Sequence, residues 1–228
     1  MFLVSTSAAY EHRGNMRPPT DLAAALLHLP DSLRSNPFDE GPGLEALTDA
    51  QMEQLLSGTP LSVAEGWGWE NEATTHPETH IRLRRTGGDD GLSYDFLELE
   101  QAAGSIWVLV LHSHDDHCCR YNRWAVLEVD ASGVVDRSAG SLPAVNWGDF
   151  FSSAAVAQST APSLTALDLP LRMQVKAETR DVELEIIADY LDLGLSEDQG
   201  APLRAELPVA PRRLRWERQA YRWGPRSE

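Results

Sequence analysis

Apolar residues recur along this chain with two periods, and the places where the period changes mark its elements. Near the start the spacing is helical. Thr20 and Asp21 offer side-chain oxygens to the free amides of a helix over residues 22–29, which Pro30 stops. Residues 31–43, with two prolines and two glycines, have a loop composition. Thr48 and Gln51 make a capping box for a second helix through Met52, Leu55 and Leu56, closed by Gly58. Trp67 and Trp69 stand among glycines and carboxylates, which predicts an approach loop laying aromatic rings over the core.

From Thr79 the period is two. Residues 80–84 and 93–100 alternate on either side of a glycine- and aspartate-rich turn, as a hairpin does. Residues 105–112 are apolar without alternation, which predicts a central strand buried on both faces. Residues 123–130 alternate again and turn at Ser132 and Gly133 into 134–136. Connections this short exclude parallel crossovers, so residues 79–137 are expected to form an antiparallel meander.

Beyond Gly140 helical spacing returns, with Asn146 capping a helix over 146–157 that carries Trp147, Phe150 and Phe151. Residues 169–177 alternate as a further strand. Residues 181–193 suit a helix capped by Asp181 and ended by Gly194, although the first six also alternate; the helix is the expectation. The fold class is therefore α+β: an antiparallel sheet of four to six strands covered on one face by helices. A chain of 228 residues, 42% of them hydrophobic, fits a single domain. It would carry an irregular N-terminal arm (1–19) and a basic, Arg- and Trp-rich C-terminal segment (209–228).

Charge narrows the partners. A formal net charge of -16 repels nucleic-acid phosphates and anionic lipid, and favours a basic protein partner. No apolar run is long enough to span a bilayer, and the N-terminus lacks a secretory signal pattern. The cysteines, Cys118 and Cys119, are adjacent, so no disulfide framework is available and a reducing cytoplasm fits. Arginine is preferred almost everywhere over lysine, Lys176 being the exception, which suggests a GC-rich bacterial genome.

The chemistry-bearing stretch follows the central strand. His112, His114, Asp116 and His117 spell H-x-H-x-D-H. This resembles the metal-binding signature of the metallo-β-lactamase superfamily. The resemblance implies one or two zinc or iron ions that activate water, a motif that opens a helix, and a fold of alternating strands and helices. It covers six residues, and no histidine follows His117 to complete such a site. Read without the resemblance, His112 and His114 share one face of a strand. The turn brings His117 with Cys118 or Cys119 toward them, a mixed nitrogen and sulfur set suited to zinc. The bland alternative is a polar hairpin tip. No catalytic residue is singled out, and no cofactor is expected, although the cluster leaves zinc possible.

The C-terminal Arg212, Arg215, Trp216 and Trp223, with Trp67 and Trp69, are the candidate partner-contact residues, since Arg and Trp dominate binding hot spots. The favoured account of that segment packs Leu214 and Trp216 as a final strand while the arginines meet carboxylates. The leading expectation is a non-enzymatic protein-binding module, regulatory or immunity-type, acting on a basic partner. A metal-binding protein or metal-dependent hydrolase using the histidine cluster is the alternative, and nucleic-acid contact through the C-terminal arginines comes third.

Overall fold

The computed structural model of the chain describes residues 19–35, 43–64, 66–87, 91–102, 104–116, 119–158, 171–189, 197–208 and 210–224. Seven strands follow one another as an antiparallel meander: β1 (Leu61–Ala64), β2 (Trp67–Glu72), β3 (His80–Thr86), β4 (Gly91–Ala102), β5 (Ser105–Asp116), β6 (Cys119–Asp130) and β7 (Gly133–Asp136). A second antiparallel sheet holds β8 (Leu171–Lys176), β9 (Asp181–Ile186), β10 (Arg212–Glu217) and β11 (Ala220–Trp223), in the order β11-β10-β9-β8. The α+β class with an antiparallel meander is thus observed.

The central strand β5 pairs along its length with β4 and β6. Ile106, Val108 and Val110 point into one core, while Trp107, Leu109 and Leu111 point into another. The missing alternation follows, because a strand with apolar cover on both faces has no solvent side to leave polar. The first core is closed by α1 (Leu22–Leu26), α2 (Asp31–Arg34) and α3 (Asp49–Leu56). Asp21 caps α1 by accepting from the Ala24 amide at 2.8 Å, and Thr48 with Gln51 forms the capping box of α3. The second core lies between the two sheets and takes Phe150 and Phe151, Ala155 of α5 (Ser153–Gln158) and Leu203 of α6 (Glu197–Ala205); α4 (Ser138–Ser141) sits beside β6.

Strand β4 alternates regularly as far as Leu99: even-numbered Tyr94 and Phe96 belong to the first core, odd-numbered Leu97 and Leu99 to the second. The pairing with β5 shifts between Glu98 and Glu100, so Glu98 opposes Val108 and Glu100 opposes Trp107. One extra residue in one strand of a pair is a β-bulge, and it sends the residues after it to the other face.

Several expectations are corrected. The meander begins at Leu61, not at residue 79, because Trp67 and Trp69 lie on β2 and not on an approach loop. The glycine between them reflects crowding: a side chain at Gly68 would collide with the Leu61 carbonyl of β1. Residues 181–186 form β9 instead of a helix. Val182, Leu184 and Ile186 fill the second core while Glu183 and Glu185 face outward, so the period of two prevailed over the cap signals. The helix expected over 146–157 is a 3₁₀ turn (Trp147–Asp149) followed by α5, and it covers the face opposite to the N-terminal helices. There are two sheets, of seven and four strands, not one of four to six.

Candidate functional site

The histidine-bearing stretch is the end of a long hairpin. β5 and β6 stay in register from Ser105↔Asp130 to Asp116↔Cys119, leaving only residues 117 and 118 to connect them. The segment therefore turns back into a strand, where the resemblance to the metallo-β-lactamase signature implied entry into a helix.

His112 and His114 share a face, as the strand period requires, and that face looks toward the N-terminal helices. Both are buried, at 4% and 2% exposure. The His112 ring stacks on Tyr94, its cross-strand partner, at 4.1 Å between centroids. The Tyr94 hydroxyl donates to the Arg34 carbonyl at 2.9 Å and to that of Ser35 at 3.3 Å, which ties the end of α2 to the sheet. Arg34 is itself buried and donates to the carbonyls of Leu26 and Leu27, at 3.4 and 2.9 Å. One tyrosine and one arginine thus satisfy carbonyls left over by two short helices.

Burial, reinforced by the positive charges of Arg123 and Arg85 and by neighbouring His114, lowers the pKa of His112 to about 3. Its imidazole is neutral near pH 7, able to accept a hydrogen bond or a cation but not to act as a general acid. Burial likewise raises the Tyr94 hydroxyl above its ordinary range, keeping it a donor. Beside His112 a shallow depression is lined by Leu33, Val110, Arg123, Trp124 and Ala125. Arg123 is exposed at its rim.

Of the proposed metal-ligating set, the structure brings His112 and His114 to one face. Asp116 is placed by its backbone pairing with Cys119, while His117 and Cys118 lie outside the described residues. Among the described residues, no group of three His, Cys, Asp or Glu side chains is gathered as an ion would require.

The partner-contact candidates separate. Trp69 is 1% exposed and belongs to the first core, tilted against Tyr94 at 5.6 Å, so no partner reaches it. Trp67 is half-buried beneath the Arg85 guanidinium, 4.5 Å from its ring centre. Trp216 and Trp223 are half-buried on the inner face of the second sheet, against Trp107 and Phe150. Arg212 lies over the Trp223 ring at 5.2 Å, and Arg215 is exposed on the outer face.

Sequence reasoning missed a buried polar cluster between β3 and β4. Asp95, 2% exposed, sits 2.8 Å from His80 Nε2 and 3.1 Å from Arg82 Nε, and Arg82 also faces Glu72 at 3.7 Å. Asp95 is the cross-strand partner of Arg82, so the signal was present once the hairpin register was set.

No protein-family model matches this chain, and no curated protein does. A solved domain of an uncharacterized protein from Porphyromonas gingivalis W83 superposes with a TM-score of 0.53 at 13% identity. The match covers 88% of this chain and 97% of that one. The two share a fold, and the likeness carries nothing about activity. Among the described residues, no helix is long and apolar enough to cross a membrane.

Proposed function

We propose that this chain is a non-enzymatic protein-binding module, of a regulatory or immunity type, that docks a basic partner on its acidic half in a cytoplasmic setting. The observation that supports this is the segregation of charge. Residues 43–137, which span α3 and the seven-stranded sheet, hold seventeen Asp and Glu against six Arg. Three of those arginines are already engaged: Arg82 with Glu72 and Asp95, Arg137 with Glu128 at 2.6 Å, and Arg85 over Trp67. Glu45, just before α3, and Asp49 and Glu53 on it are exposed, Asp49 facing Arg34 at 3.7 Å, and together they attract a cationic surface.

The test uses a lysine-rich peptide as the probe, with calorimetry at low and high salt and carbodiimide crosslinking. A saturable one-to-one complex that weakens with salt and crosslinks at Glu45, Asp49 and Glu53 supports the reading. Crosslinks scattered over every carboxylate, or an affinity unchanged by Glu45→Lys with Glu53→Lys, overturn it.

The second reading is a zinc-binding protein. It is favoured by two imidazoles on one strand face, one held neutral and so ready to ligate. Metal analysis of the untagged protein decides it. Stoichiometric zinc that is lost in His112→Ala with His114→Ala supports this reading, and metal-free protein excludes it.

A further inference from the structure

The outer face of the second sheet is a lattice of paired charges with one exception. Arg172 meets Glu185 at 3.2 Å, Lys176 meets Glu183 at 3.0 Å, and Arg213 meets Glu183 at 2.6 Å and Asp181 at 3.8 Å. Arg215 and Arg222 stand directly opposite one another on β10 and β11, both exposed. Neither makes a hydrogen bond or ion pair among the described residues. Like charges facing each other across a strand pair repel, so this arrangement costs the free protein stability.

The same end of the sheet carries backbone strain. Arg180 closes the β8–β9 turn and Arg218 with Gln219 closes the β10–β11 turn, at φ of 58°, 49° and 66°. These are all the non-glycine residues with positive φ among the described ones, and each is more costly there than glycine. The second turn is held in place from outside: the Gln219 carbonyl accepts from Ser141 Oγ at 2.7 Å, and its side chain donates to Glu100 at 3.1 Å. Arg180 and Arg218 are both exposed, so four arginines gather at one end of the sheet, with the single carboxylate of Glu217 beside them on β10.

We propose that Arg215 and Arg222 form a receptor for a phosphomonoester group, with Arg180 and Arg218 at its rim. A carboxylate balances the charge of one guanidinium, whereas a phosphomonoester dianion balances two and offers three oxygens to the pair. A single dianion also relieves the repulsion between the pair. A long polyanion such as nucleic acid must lie against a body of net charge -16, so an isolated phosphate group suits this end better. The site uses other residues than the acidic surface proposed above and stands apart from that reading.

The experiment compares the full chain with Arg215→Gln, Arg222→Gln and the double variant in phosphate-free, low-salt buffer. Without added anion, each single change is expected to raise Tm by about 1–2 °C, because repulsion is removed. A peptide bearing one phosphoserine should raise the Tm of the parent, with Kd weakening about tenfold or more for each arginine lost. Free O-phosphoserine binding as well as the peptide identifies a small phosphomonoester as the source, and binding by the peptide alone identifies a phosphorylated protein. The proposal falls if the double variant binds equally well or if the single variants are destabilised without anion. It falls equally if an oligonucleotide of matched charge binds as tightly, or if sulfate reproduces the shift, which means an adventitious ion only.

Discussion

The two sheets bury their strands in different ways. β5 is apolar at every position from Ile106 to Leu111 because helices cover one of its faces and the second sheet covers the other. β9 alternates strictly, Val182, Leu184 and Ile186 inward and Glu183 and Glu185 outward, because its far side meets water. Charge follows the same division: residues 43–137 are strongly acidic, while residues 171–224 hold ten acidic against nine basic side chains. A strand's pattern thus reports how many neighbours cover it, and a sheet with a wet face has room to balance its charges there.

An alanine scan tests this contrast most strongly. Val108→Ala and Leu109→Ala are adjacent and fully buried on opposite faces, so both should be costly, with Leu109→Ala at about 2–5 kcal/mol by urea denaturation. In β9, Leu184→Ala should fall in the same range while Glu185→Ala stays within about 0.5 kcal/mol. A period of two in the β5 scan would break the comparison.

Polar groups inside the larger sheet come next. Asp95→Asn weakens the charged interactions with His80 and Arg82 and should cost about 1.5–3 kcal/mol. His112 adds a pH signature. Its folded pKa lies near 3, below the ordinary 6.5, so the unfolded chain takes up the proton first. The contribution is complete above pH 6.5 and is lost as pH falls from there through 3, at up to about 1.4 kcal/mol per pH unit. His112→Gln should flatten the measured pH dependence of stability by as much as one proton in that window. An unchanged slope would show that His112 is not buried as a neutral ring.

Tyr94→Phe removes the donor to the Arg34 and Ser35 carbonyls and should cost about 1 kcal/mol. The smallest effect belongs to the wet face of the other sheet. Arg213→Gln breaks an ion pair whose arginine is 44% exposed, and should change stability by less than about 1 kcal/mol, with the difference shrinking in salt.

Local signals in the sequence were sufficient for the meander from β3 to β7 and for the caps at Asp21 and Thr48, because alternation, turn residues and capping oxygens act within a few positions. β2 was hidden by Gly66 and Gly68, which read as loop although one of them serves a close approach to β1. β9 was ambiguous because residues 181–193 satisfy both periods, and the choice was made by the β8 and β10 partners that flank it. The site shows the same limit. That His112 and His114 share a face was legible from the period of a strand, but their burial under α2 was not, since Leu33 and Arg34 lie far away in sequence and in a stretch that reads as loop. The His80–Asp95 pair was missed for a related reason: a strand's spacing says which way a side chain points, not whom it meets across the hairpin.

The bulge in β4 has a further consequence. By inserting one residue before Glu100, it swings that carboxylate from the helical side of the sheet to the side where Gln219 waits, 119 positions later in the chain. A regular ladder through the same residues would set Leu99 opposite Trp107 and Glu100 opposite Ile106, on the side of the N-terminal helices. The clasp on the final hairpin would then be lost although neither residue of the clasp had changed, so the seating of the last two strands is decided by a single surplus residue in the fourth.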